Sequence, residues 1–202
     1  LMLMFGSQAG AECGNLCDAD WWKTATDADV QAELDAGADL MERDEELGTT
    51  ALHWAAGKGR TLIIQTLIDK GADLMARTDI GWTPLHFAAV SRNLVDIQPL
   101  LAAGANVMAR HDAGMTPLHF AAYNSHPEII QALLYAGTNV MVRDVNGWTP
   151  LHAAASCLQC QTGVIEKLLS AGADPKAKGK EGRTPWDFAQ ENENLKGTKG
   201  YW

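Results

Sequence analysis

Apolar residues recur along most of the chain in a pattern that predicts pairs of short helices. Ile63, Ile64, Leu67 and Ile68 stand at positions i, i+1, i+4 and i+5, which form one apolar stripe on a helix. Equivalent stripes follow at Ile129, Ile130, Leu133, Leu134 and at Val164, Ile165, Leu168, Leu169. Because such a stripe cannot be buried without a partner, the pattern predicts helices that stack on one another.

A second motif precedes the stripes and repeats at a fixed interval. Thr50, Thr83, Thr116 and Thr149 are spaced by 33 residues, and Thr184 follows 35 residues later. Each Thr opens a variant of one phrase, namely TALHWAA, TPLHFAA (twice), TPLHAAA and finally TPWDFAQ. A fixed period of this size is typical of proteins built from stacked repeats.

The repeated phrase predicts where each first helix begins. Thr is a favoured N-cap residue, and Pro is tolerated after it because its missing N–H would have no acceptor within the helix. The third residue after the Thr can reach back to the cap as in a capping box, which gives a structural role to His53, His86, His119 and His152. We expect the second helices to end at the C′ residues Gly71, Gly104, Gly137 and Gly172.

The 33-residue period, the T-P-L-H-x-A-A phrase and unit ends such as GADLMART resemble the ankyrin repeat over about residues 18–195. The resemblance implies an all-α ankyrin-repeat solenoid of stacked helix-turn-helix units with short β-turn or hairpin connections. It divides a single domain, 12–202, into an N-terminal cap at 18–48, repeats at 49–81, 82–114, 115–147 and 148–182, and a C-terminal cap at 183–202. In this family, turn tips and first helices form a concave face that usually contacts partner proteins.

The chain departs from the family pattern at several places. Where ankyrin units usually carry Asn after Gly-Ala-Asp-Val, this chain carries Met41, Met75, Met108 and Met141. Pro99 falls inside a second helix, so we expect that helix to start late or kink. The unit that begins at Thr149 gains two residues around CLQC (157–160), so its inter-helix turn should bulge outward. In the C-terminal cap, Asp187 replaces the repeated His.

Charge is distributed unevenly along the 202 residues. The net charge is −9, yet residues 12–46 alone hold 12 acidic residues against Lys23 and Arg43, a net of −10. Nucleic acids and anionic membranes attract clustered cations, so an acidic end without a Lys/Arg cluster argues against both partners. No run of about 18 apolar residues predicts a transmembrane helix. The acidic end is either a solvated face or an acidic docking patch.

The first residues predict export. Residues 1–11 contain an apolar stretch followed by Ala9-Gly10-Ala11, a motif that signal peptidase cuts, so we expect a signal-peptide remnant and a periplasmic, monomeric mature protein. One alternative is an artificial boundary before an ordinary helix, which would leave the protein in the cytoplasm. Another is that the apolar segment stays uncleaved and tethers the chain to a membrane as part of an envelope assembly.

The four cysteines occur as two pairs, Cys13 with Cys17 and Cys157 with Cys160. The solenoid implied by the resemblance separates the pairs by four units, so a shared zinc site is not expected. An oxidising compartment would then close each pair as a local disulfide. The alternative is a thiol–disulfide redox protein that uses Cys157 and Cys160, although this C-x-x-C motif follows a helix instead of preceding one.

Other candidate chemistry is weak. Zinc ligands lie about 2 Å from a shared ion, whereas stacked helices are about 8–10 Å apart, so neither the repeated histidines nor the repeated methionines can converge on one metal. The chain contains no nucleophile elbow, phosphate-binding loop or paired-carboxylate motif. We therefore expect no enzymatic activity, no cofactor and no metal.

A partner protein would bind on the concave face that the resemblance implies. The residues just before the repeated threonines lie on that face, and three of them are large and apolar in adjacent units. With the aromatic residues of the first helices, the predicted partner-binding set is Trp54, Trp82, Phe87, Met115, Phe120, Tyr123 and Trp148. Packing between units is the alternative role for Phe87 and Phe120. The hypothesis is a non-catalytic module that docks one face of an unidentified protein.

Overall fold

The computed structural model describes residues 14–91, 94–157, 162–192 and 194–195. Within these residues all regular secondary structure is helical: two 3-10 turns, Asn15–Cys17 and Leu94–Asp96, accompany the α-helices. The α-helices are α1 (Trp21–Thr24), α2 (Asp27–Asp35), α3 (Ala51–Lys58), α4 (Thr61–Asp69), α5 (Pro84–Val90), α6 (Ile97–Ala102), α7 (Pro117–Tyr123), α8 (Pro127–Tyr135), α9 (Pro150–Ser156), α10 (Thr162–Ser170) and α11 (Pro185–Glu191). None of these helices is long and apolar enough to cross a membrane. The predicted signal segment, 1–11, lies outside the described residues.

The helices form two parallel rows. Each repeat pairs a first helix with a second helix, α3 with α4, α5 with α6, α7 with α8 and α9 with α10, while α2 and α11 extend the rows at the ends. The first helices contact one another more extensively than the second helices do. Because a stack curves toward its more closely spaced row, the first helices line the concave face. The predicted all-α solenoid is therefore confirmed.

One continuous apolar core runs through the stack from Leu16 to Leu195. Paired alanines in the first helices, such as Ala88 and Ala89, are fully buried. Their small side chains let neighbouring helices approach closely, which explains the closer spacing of the first row. On the second helices the predicted stripes face inward, and Ile63, Ile64, Leu67, Ile129, Ile130, Leu133, Val164, Ile165 and Leu168 are buried.

The second helix of the repeat at 82–114 starts late, as Pro99 predicts. Residues Leu94–Asp96 form a 3-10 turn, and α6 has six residues where α4 and α8 have nine. Pro99 is the third residue of α6, a position whose N–H would have no acceptor within the helix. The predicted bulge at 157–160 lies almost wholly outside the described residues and stays a prediction.

The second helices end at the predicted glycines. Gly71 and Gly172 both have φ of 91°, a left-handed conformation that other residues adopt only with strain. In each case the following N–H returns to a carbonyl of the last helical turn, as Ala72 does to Leu67 at 2.9 Å. The chain is thereby turned from the second helix toward the next tip.

The resemblance implies only a second helix and the Gly-Ala-Asp end for the N-terminal cap, but the cap contains more structure than that. Besides α2, the short α1 and the 3-10 turn occupy the place of a first helix. The buried Trp22 donates its indole N–H to the Leu16 carbonyl oxygen at 2.7 Å. The Arg60 guanidinium lies over the Trp22 ring, 5.5 Å from its centroid, and pairs with Asp27 at 3.1 Å. These contacts close the exposed end of the core.

Candidate functional site

Each repeat begins with a Thr–His capping box. The backbone N–H of Thr83 donates to Nδ1 of His86 at 3.1 Å, and the Thr83 hydroxyl lies 2.9 Å from the same nitrogen. The structure places the three other predicted pairs in the same geometry: Thr50 with His53, Thr116 with His119, and Thr149 with His152. The repeated His therefore fixes the start of each first helix.

The other ring nitrogen of each His reaches the next unit. Because Nδ1 accepts a hydrogen bond, the neutral ring carries its proton on Nε2. That nitrogen lies 3.1–3.3 Å from the carbonyl oxygen of the residue before the next capping Thr, which is Trp82, Met115, Trp148 or Arg183. One imidazole thus caps its own helix and holds the following tip.

Burial keeps these histidines neutral. It lowers the pKa of His53 and His119 to about 4 and that of His86 to about 3, and it also lowers the pKa of His152. A proton on Nδ1 would also face the Thr N–H that now donates to it. Within the described residues no group of three or more His, Cys, Asp or Glu side chains could hold a metal ion.

The last unit uses a different cap. Asp187 takes the position of the repeated His, and its Oδ2 accepts from the N–H of Thr184 at 2.7 Å and from the Thr184 hydroxyl at 2.8 Å. These hydrogen bonds lower the pKa of the Asp187 carboxyl. A carboxylate has no N–H to donate onward, so the series of bonds between units stops here.

Backbone hydrogen bonds join the loop tips into one strip. The N–H of Asp79 donates to the Leu47 carbonyl at 2.8 Å, and the next three tips continue the series through Asp112 to Ile80, Val145 to Ala113, and Lys180 to Asn146. Three large apolar side chains, Leu47, Ile80 and Val145, are exposed on these tips. The tips therefore present a continuous, partly apolar rim beside the first helices.

One arginine at each of four successive tips bonds to the next unit, and only the first two also pair with a carboxylate. These arginines are Arg43, Arg77, Arg110 and Arg143. Each guanidinium donates to a backbone carbonyl one unit further on, for example Arg43 to Arg77 at 2.9 Å. Arg43 and Arg77 also pair with Asp79 and Asp112, at 2.9 and 3.4 Å. Among the described residues, the guanidiniums of Arg110 and Arg143 have no carboxylate within 4.0 Å. Unpaired positive charge thus lies in the second and third repeats, away from the acidic N-terminal end.

The structure brings several predicted partner-binding residues together. The Trp82 ring packs against Phe120 of the next unit, with centroids 4.4 Å apart, and against Phe87 at 5.5 Å. Trp54 stands 6.4 Å from Phe87. All four rings are half-buried, so they serve the packing between units and also present part of their surface on the concave face.

The remaining predicted residues lie apart from this row. Trp148 packs against Phe188 of the C-terminal cap at 4.7 Å, and Met115 is half-buried. Tyr123, at the end of α7, is 51 % exposed. The structure therefore divides the predicted set into an aromatic row, a second pair at the cap and one exposed tyrosine.

Sequence reasoning missed two parts of this face. Leu47 lies at the same position of its unit as Ile80, 33 residues earlier, so the repeat register alone could have identified it. The ring of His111 lies 5.2 Å from that of Phe120 and joins the aromatic row. Its Nδ1 accepts the Met115 N–H at 3.1 Å, as Asp144 accepts that of Trp148. This hydrogen bond of His111 depends on the geometry of the tip, and no sequence motif indicates it.

The cysteines lie away from the concave-face aromatics. Cys17 and Cys157 are each disulfide-bonded and buried, while Cys13 and Cys160 lie outside the described residues. Cys157 is the C-cap of α9, the end of the helix that disfavours a thiolate. The pairings Cys13–Cys17 and Cys157–Cys160 stay predictions.

Comparison with known proteins agrees with this geometry. The family model described as ankyrin repeats (3 copies) matches residues 25–111 and 95–179. No curated protein matches the sequence. The two matched ranges together span most of the chain, including all four Thr–His boxes. The chain belongs to the ankyrin-repeat family.

Proposed function

We propose that this protein is a non-catalytic binding module whose concave face docks a partner protein. Ankyrin repeats are generally protein–protein interaction modules and typically have no catalytic activity. The observation that carries the proposal is the strip of exposed apolar tips, Leu47, Ile80 and Val145, beside the half-exposed aromatic row. Exposed apolar groups that lie along one surface are a common mark of an interface.

The charge along the tips gives the proposed interface a direction. The N-terminal cap carries the acidic excess, whereas Arg110 and Arg143, in the second and third repeats, lack carboxylate partners among the described residues. A partner of complementary charge would present basic groups to the N-terminal cap and acidic groups to the second and third repeats. Charges at the rim of an interface mainly set orientation and association rate.

The test is a crosslinked pull-down from an extract of the source cells, with bound proteins identified by mass spectrometry. Wild type is compared with the triple variant Leu47→Lys/Ile80→Lys/Val145→Lys, whose positions are exposed, so folding should survive. The proposal predicts a protein that wild type captures and the triple variant loses at least tenfold, because each Lys would put a solvated charge into an apolar contact.

The matched control carries lysines on the second helices. Leu62 and Tyr135 are 74 % and 85 % exposed, and the variant Leu62→Lys/Tyr135→Lys changes charge in the same direction. It should capture the partner as wild type does. Equal recovery from all three proteins, or loss from the control alone, would place the interface elsewhere and refute the proposal.

We also propose that the protein works in an oxidising compartment, such as the periplasm, as a monomer. The disulfide-bonded state of Cys17 and Cys157 supports this, because structural disulfides persist mainly outside the reducing cytosol. Alkylation of the native protein under denaturing, non-reducing conditions should add no mass. After reduction it should add four alkyl groups, one for each cysteine. Free thiols in freshly isolated protein would argue against the proposal.

A further inference from the structure

We infer that the cleft between the first two repeats is a socket for one tryptophan side chain of the partner, flanked in the partner by basic residues. This inference rests on the proposed concave-face function and names the chemistry that the face recognises. Its three supports are the repeat register, a cavity with an unpartnered hydroxyl, and the charge of the adjoining tip.

A comparison of equivalent positions in the repeats shows that this cleft lacks the Trp ring found in two later units. In two later units, the Trp before the capping Thr packs on the aromatic residue of the next first helix: Trp82 on Phe120 and Trp148 on Phe188, at 4.4 and 4.7 Å. At the third repeat, Met115 precedes a unit that has Ala153 at the aromatic position. The first repeat alone combines a small residue, Thr49, with an aromatic residue in the next unit, Phe87.

A cavity occupies the place of the missing ring. It has a volume of about 180 Å³, and it is lined by Leu47, Thr49, Thr78, Ile80, Trp82 and Phe87. The lining is apolar apart from the two threonines, and Leu47 and Ile80 form its exposed rim. A space of this size suits one large side chain and not a folded segment.

The cavity also offers an unused hydrogen-bond acceptor. Thr49 is fully buried, and among the described residues its hydroxyl oxygen has no hydrogen-bond partner. A buried hydroxyl without a partner costs free energy, which a ligand donor would recover. An indole combines the apolar ring that the register calls for with one N–H donor. Tryptophan therefore fits the socket better than phenylalanine or leucine.

The negative charge beside the socket favours basic residues on either side of the partner's tryptophan. Glu45 and Glu46 are exposed on the tip that carries Leu47, and neither forms an ion pair with a described residue. Asp44 is already used, because its carboxylate accepts the N–H groups of Glu46, Leu47 and Thr49. Lysine or arginine next to the inserted tryptophan would complement these two free carboxylates.

The test titrates the ¹⁵N-labelled full-length protein with blocked pentapeptides and follows amide and indole shifts by NMR. The probe is acetyl-Gly-Lys-Trp-Lys-Gly-amide, for which we expect a dissociation constant of about 1 mM, given the cost of ordering a short peptide. Shifts should centre on Leu47, Thr49, Ile80 and the Trp82 indole. The Lys-Ala-Lys peptide should bind at least tenfold more weakly, and a Glu-Trp-Glu peptide about threefold more weakly at low salt.

Three variants make the test specific. Thr49→Trp supplies the missing ring from the chain itself, so peptide binding should fall at least tenfold and Tm should rise by about 3 °C or more. Thr49→Val keeps the cavity but removes the acceptor, so binding should fall about threefold to fivefold. Met115→Trp places the same large residue two units away and should leave peptide binding unchanged.

Equal binding of the Trp and Ala peptides, or full binding by a folded Thr49→Trp variant, would overturn the inference. Shifts centred on the far tips instead of the first cleft would do the same. The pull-down separates this failure from that of the proposed function. If the triple Lys variant loses a partner that Thr49→Trp retains, the proposed concave-face interface is supported and the proposed tryptophan socket is refuted.

Discussion

Acidification from pH 7 to about pH 4.5 is expected to remove most of the stability of the protein. The pKa of the buried histidines in the folded state is about 3 to 4, below the ordinary value of 6.5. Between these values the unfolded chain binds more protons than the folded chain, so stability is complete above pH 6.5 and falls as the pH drops. Each such His costs roughly 1.4 kcal/mol per pH unit in this window, and three together cost on the order of 5–10 kcal/mol.

Urea unfolding followed by circular dichroism at several pH values measures this loss. His119→Gln is the matched variant, because Gln can fill the capping position but does not titrate. It should be less stable than wild type at pH 7 by about 1–2 kcal/mol, since the bond to the Trp148 carbonyl is weakened. Its stability should then fall less steeply between pH 6.5 and 4.5. A flat profile for wild type across that range would show that the histidines are not buried neutral.

Trp82→Ala is expected to destabilise the fold by about 2–4 kcal/mol, because it removes a ring packed between two units. A residue whose only role was partner binding would be dispensable for folding. The contacts of Trp82 with Phe87 and Phe120 predict otherwise, and Trp148→Ala should be costly for the same reason through Phe188. Urea unfolding at pH 7 gives the free-energy difference.

Two further variants show whether the loss comes from packing. Trp82→Phe keeps an aromatic ring on Phe120 and should recover more than half of the lost stability. Tyr123→Ala truncates a ring that is 51 % exposed and should cost less than about 1 kcal/mol. Should Trp82→Ala prove as stable as wild type, Trp82 would be free for a partner. The packing of Trp82 on Phe120 could then no longer serve as the model for a ring that is missing at the first cleft.

The periodic part of the fold was predictable because it depends on local rules. The capping residue, the glycine that ends a second helix and the effect of Pro99 all act within one turn of the residue concerned. The site was predictable only in part, because it depends on how adjacent units face each other. The repeat pattern identifies Trp82 as the residue before a capping Thr, but its contact with Phe120 depends on the spacing between repeats.

The methionines that recur once per unit also show that the contacts of a residue between units cannot be predicted from its position in the repeat. Their flexible apolar side chains suit packing between adjacent turns. The structure adds a specific contact at Met141, whose Sδ accepts the N–H of Asp174 from the next unit at 3.2 Å. Met75, in contrast, is 40 % exposed. Identical residues at identical repeat positions thus differ in environment, which a single repeat sequence cannot reveal.

The onward bond of each repeated His has a consequence for how such a chain can change length. Its acceptor is always a backbone carbonyl, which every amino acid possesses, so any internal unit can follow any other without losing the bond. Duplicating or deleting one internal unit would preserve this hydrogen bond between units, whatever side chains the unit displays. Asp187 cannot be copied inward in the same way, because it offers no donor to a following unit. Duplication of an internal unit would therefore keep the His bond, whereas a copy of the unit that begins at Thr184 would lack it.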